Sequence, residues 1–141
     1  MSRAMGLDVG TKTIGVALSD PTYLIAQAKE TIHRRSLAED LARIQAYIET
    51  YEVEEIVIGL PRHMNGDLGA SAQRARSFGQ ALEKELGRMV TYQDERMSTR
   101  SADRVLMETG VRRENRKKYV DALAAAFILQ TWLDKNKRRP M

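Results

Sequence analysis

The chain has 141 residues, 43% hydrophobic and 30% charged, which is the balance of one ordinary soluble globular domain. It holds no cysteine, and this excludes disulfides, thiolate metal sites and a cysteine nucleophile. No apolar run reaches the roughly eighteen residues of a membrane-spanning helix. The formal charge is +4 with a pI near 9.5.

No apolar segment precedes Asp8, so no export signal is expected and the expected location is cytoplasmic, with no membrane partner. With only His33 and His63 as imidazoles, any bound metal is expected to take oxygen ligands. The positive charge is clustered. Arg112, Arg113, Arg116, Lys117 and Lys118 form one basic stretch, and Lys135, Lys137, Arg138 and Arg139 form another. Either a solvated surface or contact with nucleic-acid phosphates accounts for them.

Residues 3–10 and 13–19 are apolar and β-rich, joined at Thr11-Lys12, and predict a hairpin in which Gly10 and Gly15 permit tight turns or close approach. Pro21 marks a corner, and a third strand is expected over 22–32. Ser36, with Glu39 three residues on, predicts a capped helix of about four turns, because Leu37, Leu41, Ile44, Tyr47 and Ile48 recur at helical spacing. Residues 55–60 are a short β-branched run ending at Pro61, which reads as a buried strand. A loop at 61–69, a helix from Ser71 to about Leu86 and a last strand over 89–93 follow. A helix from Ser98 to Glu108 is expected to stop at Gly110, and a final helix to run from about Asn115 to Lys135. Strands at the front and then alternating helix and strand predict an α/β fold, first antiparallel and later parallel. Without repeats or a Pro/Gly-rich linker, residues 1–141 are expected to form a single domain.

Three carboxylates can reach the carboxyl ends of such strands, where open α/β sheets place their ligands. Asp8 lies between Leu7 and Val9 in the first strand, where a carboxylate is costly unless paired or bound to metal. Glu95 follows the last strand. Asp121 lies on the terminal helix, whose alanines at 122, 124, 125 and 126 allow close approach to the sheet. Three converging acids repel one another unless a divalent cation relieves them. Taken by spacing alone, separate hydrogen bonding is the better account: Asp8 to backbone, Glu95 to Arg96 and Asp121 to Lys117.

The segment Gly6-Leu7-Asp8-Val9-Gly10-Thr11-Lys12-Thr13-Ile14-Gly15-Val16-Ala17-Leu18-Ser19-Asp20 resembles the first motif of the YqgF, or RuvX-like, family. Ile56-Val57-Ile58-Gly59-Leu60-Pro61 with Asn65-Gly66, then Asp94-Glu95-Arg96, then Lys118-Tyr119-Val120-Asp121 with Ala124-Ala125 and Ile128-Leu129, resemble its later blocks in family order. One departure is Met97-Ser98-Thr99, where a second threonine is more usual; Ser98 keeps a hydroxyl. The resemblance implies an RNase H-like fold, a five-stranded mixed sheet whose first three strands are antiparallel, flanked by helices on both faces. It implies a nuclease that matures the 5′ end of pre-16S ribosomal RNA, similar to the RuvC Holliday-junction resolvases. Asp8, Glu95 and Asp121 would be its metal-binding acids, for Mg²⁺ or Mn²⁺. Asp94 and Glu95 point to opposite faces by strand alternation, and Glu95 is taken as the ligand.

Substrate contacts are expected from Thr11 and Lys12 in the hairpin turn, Arg62 and Asn65 in the loop, Arg96, and Lys117 and Lys118 one helical turn before Asp121. For Thr11 and Lys12 an ordinary turn is an equal reading, and for Arg96 a salt bridge with Asp94 is the better one. His63 reads as a loop histidine, and Trp132 as a core or subunit-contact residue. The expected partners are structured RNA or branched DNA and pre-ribosomal particles, with the chain a monomer or homodimer. Two rivals remain. Asp8-Val9-Gly10-Thr11 also resembles the first phosphate motif of actin, hexokinase and Hsp70-type ATPases, but those enclose ATP with two lobes and no second phosphate motif follows here. A noncatalytic RNA-binding module would keep the same acids.

Overall fold

The computed structural model describes residues 2–60, 69–94 and 113–136, without the side chains of 113–120. All of the expected loop at 61–69 but Gly69, the helix over 98–108 with Gly110, and Arg62, His63, Asn65, Glu95 and Arg96 lie outside the described residues.

Strand β1 (Arg3–Val9) and β2 (Thr13–Ser19) form the expected hairpin, and β3 (Ala26–His33) adds to β2 antiparallel. Helix α1 (Leu37–Tyr51) leads to β4 (Val53–Leu60), which pairs parallel with β1 on its free side. Helix α2 (Ala70–Leu86) then leads to β5 (Val90–Asp94), parallel to β4. The sheet order is β3-β2-β1-β4-β5, the five-stranded mixed sheet that the resemblance implied. The carboxyl ends of β1, β4 and β5 therefore lie along one edge.

The third strand begins four residues later than expected. Asp20 accepts from the backbone amides of Leu24 at 2.8 Å and Ile25 at 2.9 Å, and Tyr23 adopts φ 61°, so residues 22–25 are a turn. Burial opposes ionisation of Asp20, but the Ile25 amide, the Thr22 hydroxyl and the Leu24 amide bring its carboxyl down to about 2. Ser36 caps α1 as predicted, its hydroxyl accepting from the Glu39 amide at 3.1 Å. Glu52, left-handed at φ 53°, ends α1 and turns the chain at once into β4, which thus starts at Val53 rather than at 55.

The last helix, α3 (Arg113–Lys135), starts two residues before the expected Asn115 and ends at Lys135 as expected. It lies on one face of the sheet, whereas α1 and α2 lie on the other. Alternation divides the side chains accordingly. Met5, Leu7, Ile14, Val16, Ile56 and Ile58 join Ile44, Phe78 and Leu82 in the larger core under α1 and α2. Ala4, Ala17 and Val57 join Ala125, Ile128, Leu129 and Leu133 under α3, with Trp132 packed against them.

Helix α3 sits close because the sheet has glycines beneath it. A Cβ at Gly6 would lie 2.7 Å from Leu129 Cβ and 2.8 Å from the Ala125 carbonyl oxygen, while one at Gly15 would lie 1.9 Å from the Asp121 carbonyl oxygen. Ala122, Ala124 and Ala125 are fully buried, so small residues on both sides set the approach. No helix among the described residues is long and apolar enough to cross a membrane.

Candidate active site

Asp8 is the penultimate residue of β1 and is half-buried. Leu7 and Val9 enter the larger core, so Asp8 projects to the α3 face, at the carboxyl end of its strand. Its cross-strand neighbour is Gly15, the same glycine that lies against the Asp121 backbone. Cross-strand Cα atoms are about 4.5–5.5 Å apart. Asp8 and Asp121 are thus neighbours across a position that has no side chain.

Asp121 is oriented by Thr13, whose hydroxyl donates to Oδ2 at 2.7 Å. Thr13 precedes Gly15 by two residues and so shares the α3 face with it. Spacing had suggested Lys117 as a separate partner of Asp121; the Lys117 and Lys118 side chains lie outside the described residues. Thr13 was missed as a site residue in the sequence, although its alternation with Gly15 was a sufficient signal.

The parallel registers align Leu7 with Ile58 and Ile58 with Tyr92. One residue on in each strand stand Asp8, Gly59 and Gln93. Val90 and Tyr92 pack against the larger core, so Gln93 occupies the α3 face, where it is 6% exposed. Asp94 consequently belongs to the face opposite Asp121, and it is exposed. Among the described residues no three acidic or imidazole side chains converge to hold a cation; Asp8 and Asp121 make two, and Glu95 lies outside them.

The turn after Asp8 is held from the other side. Gly10 donates its amide to the Thr13 carbonyl at 2.8 Å, closing the hairpin around Thr11 and Lys12, both exposed. Arg34 donates from its guanidinium to the Gly10 carbonyl at 2.9 Å and from its amide to the Lys12 carbonyl at 2.8 Å. Asp40, 2% exposed in the first turn of α1, accepts from Arg34 Nε at 3.0 Å and from the Arg35 amide at 3.1 Å. The Arg34 guanidinium also lies 5.4 Å from the Phe78 ring centre. Asp40→Ala is expected to cost about 3 kcal/mol in urea unfolding, at the low end for breaking a buried pair because Arg34 keeps some water contact. A loss within about 0.5 kcal/mol, the size of an ordinary surface substitution, would show that the clamp contributes little.

The sequence profile of the RuvX family, described as Holliday junction resolvase, matches residues 2–135. The chain belongs to the RuvX family. A relative from Moorella thermoacetica, described as "Putative pre-16S rRNA nuclease", is 52% identical over 133 residues, 94% of this chain and 95% of its own length. A relative from Lactococcus lactis with the same description is 50% identical, with 94% of both chains covered. Among solved structures, RuvC of T. thermophilus in complex with a Holliday junction substrate has a TM-score of 0.62 at 17% identity, covering both chains completely. Fowlpox virus resolvase with its junction DNA has a TM-score of 0.60 at 8% identity, covering 96% of this chain and 99% of that one. These likenesses support the RNase H-like fold implied by the RuvX motifs, and the close relatives are nucleases by description.

Proposed function

We propose that this RuvX-family chain is a metal-dependent phosphodiester nuclease that processes the 5′ end of pre-16S ribosomal RNA. The observation that carries this reading is the pairing of Asp8 and Asp121 on one face, at the carboxyl end of β1, with Thr13 holding one oxygen of Asp121. Close relatives described as pre-16S rRNA nucleases favour ribosomal RNA over a DNA junction as the substrate.

Glu95 is the proposed third ligand. It directly follows β5, whose carboxyl end shares an edge with that of β1, and Asp94 belongs to the opposite face. The donor set is all carboxylate oxygen, which suits a hard divalent cation such as Mg²⁺ or Mn²⁺. When bound, such a cation polarises the phosphate and lowers the pKa of the attacking water. Asp8 would supply charge from the strand and Asp121 from the helix. Thr13, by holding Asp121 Oδ2, would leave Oδ1 turned to the shared space. The smaller contacts follow: Thr11 and Lys12 from the turn, and Arg62, Asn65, Arg96, Lys117 and Lys118 as further groups for substrate phosphates. We further propose one domain and a cytoplasmic site of action.

The test is cleavage of an RNA carrying the 5′ flank of small-subunit ribosomal RNA, beside a four-way DNA junction, with Mn²⁺ or with EDTA. The wild-type protein is expected to cut the RNA at its flank only with metal, and Glu95→Gln to cut neither substrate. Equal cutting by wild type and Glu95→Gln would remove Glu95 from the site. Cutting of the junction in preference to the RNA would replace the substrate while keeping the chemistry.

A further inference from the structure

A concave pocket of about 600 Å³ opens at the tip of the β1–β2 hairpin, lined by Thr11, Lys12, His33, Arg34, Arg35 and Arg74. Among the described residues its lining holds no carboxylate and no apolar side chain. Arg34 is already occupied by Asp40 and the Gly10 carbonyl. Lys12, Arg35 and Arg74 have no carboxylate within salt-bridge distance among the described residues, although the acid Glu39 shares an adjoining surface with Arg35. Three cations come together here from three elements: the hairpin turn, the segment after β3, and α2. Like charges held at close range repel one another unless an anion lies between them.

We infer that this pocket is a second phosphate site, which holds the backbone of the nucleic-acid substrate where it leaves the acidic pair. The inference rests on the nuclease reading above and extends it with Arg35 and Arg74, supported by His33. The position follows from the chain itself. Asp8 and Thr11 are three residues apart, so at most about 10 Å of backbone joins the acids to the pocket. At about 3.4 Å of helix axis per phosphate, a nucleic-acid strand covers that distance in about three nucleotides. The hairpin that carries Asp8 near the end of β1 carries Lys12 in its turn, and the Arg34–Asp40 clamp holds the Gly10 and Lys12 backbone relative to α1.

The lining also indicates what is read. Among the described lining residues there is no aromatic ring or aliphatic side chain for a base to stack on, and guanidinium and ammonium groups match phosphate oxygens. The pocket therefore contributes affinity and register, with no preference for base sequence. Arg34 is the framework, and Lys12, Arg35 and Arg74 are the contacts.

The experiment measures binding by fluorescence anisotropy, using the full chain, EDTA, and a labelled RNA carrying the 5′ flank of small-subunit ribosomal RNA, across a range of salt. Arg35→Gln/Arg74→Gln is expected to weaken binding about tenfold near 0.15 M salt and to lower the salt slope by about two. Arg35→Lys/Arg74→Lys should restore most of the affinity, because it keeps the charge. Arg76→Gln, on the same helix with its guanidinium over the Tyr92 ring, should change neither quantity. Thermal melting of each variant confirms that the fold is retained. Unchanged affinity and slope in the double glutamine variant, or equal losses from Arg76→Gln, would overturn the inference, as would a wild-type chain that binds no RNA. The nuclease reading is judged separately by cleavage with Mn²⁺: a chain that binds through the pocket but cuts nothing refutes that reading and keeps the pocket.

Discussion

Asp8→Asn is expected to slow Mn²⁺-dependent cleavage by roughly a thousandfold, equivalent to about 4 kcal/mol of transition-state stabilisation. The substitution is nearly isosteric and removes one charge, so the loss reports on charge and not on packing. Asp8 is half-buried at the end of β1, and the apolar side chains around it point to the other face. The strand should therefore form as before. In EDTA the variant's melting temperature reports what the carboxylate contributes to the fold, set against the relief of repulsion from Asp121. The rise in melting temperature that Mn²⁺ gives the wild-type chain should shrink in the variant, since an ion that binds the native state stabilises it by mass action. Wild-type cleavage rates in Asp8→Asn would falsify the assignment of Asp8. A lowered melting temperature in EDTA would instead reveal a structural role for its carboxylate.

Gly15→Ala is the second large effect, and it acts through the backbone. The added Cβ would lie 1.9 Å from the Asp121 carbonyl oxygen and 2.3 Å from its carbonyl carbon. Neither atom belongs to a side chain that can rotate aside, so α3 or β2 must shift. A cost of roughly 4 kcal/mol is expected, above the usual cost of overpacking a core. The shift would also break the geometry of the site, because Asp121 is the residue struck and Thr13 is its hydrogen-bond donor two residues away. Activity should fall even at low temperature, where the variant is folded. Urea unfolding together with cleavage by the folded fraction separates the two losses. A variant as stable and active as wild type would mean that α3 does not pack at Gly15.

The elements themselves were legible because each carries a local pattern. Apolar, β-rich runs marked β1 and β2, helical spacing marked α1, and Ser36 marked where α1 begins. The boundaries that shifted did so through local hydrogen bonds. Asp20 drew residues 22–25 into a turn by accepting two backbone amides, and Glu52 ended α1 in a left-handed conformation that composition does not advertise. The Arg34–Asp40 pair was not legible at all. An acid in a first helical turn reads as a solvated partner of the helix dipole, and only packing of α1 against the hairpin buries it.

The candidate site divides in the same way. The sequence by itself determined the residue types: the acids Asp8, Glu95 and Asp121, the small residues that permit close packing, and the motif order that marks the RuvX family. These are properties of neighbouring residues, and a linear chain displays them. Only the tertiary structure decided which acids meet. Sheet register placed Asp8 opposite Gly15, the missing side chain of Gly15 admitted the Asp121 backbone, and the β4–β5 register together with alternation sent Asp94 to the opposite face. Helix approach depends on contacts between residues more than a hundred positions apart, such as Thr13 with Asp121, and the parallel registers on pairs such as Leu7 with Ile58; no local pattern encodes distances of that kind.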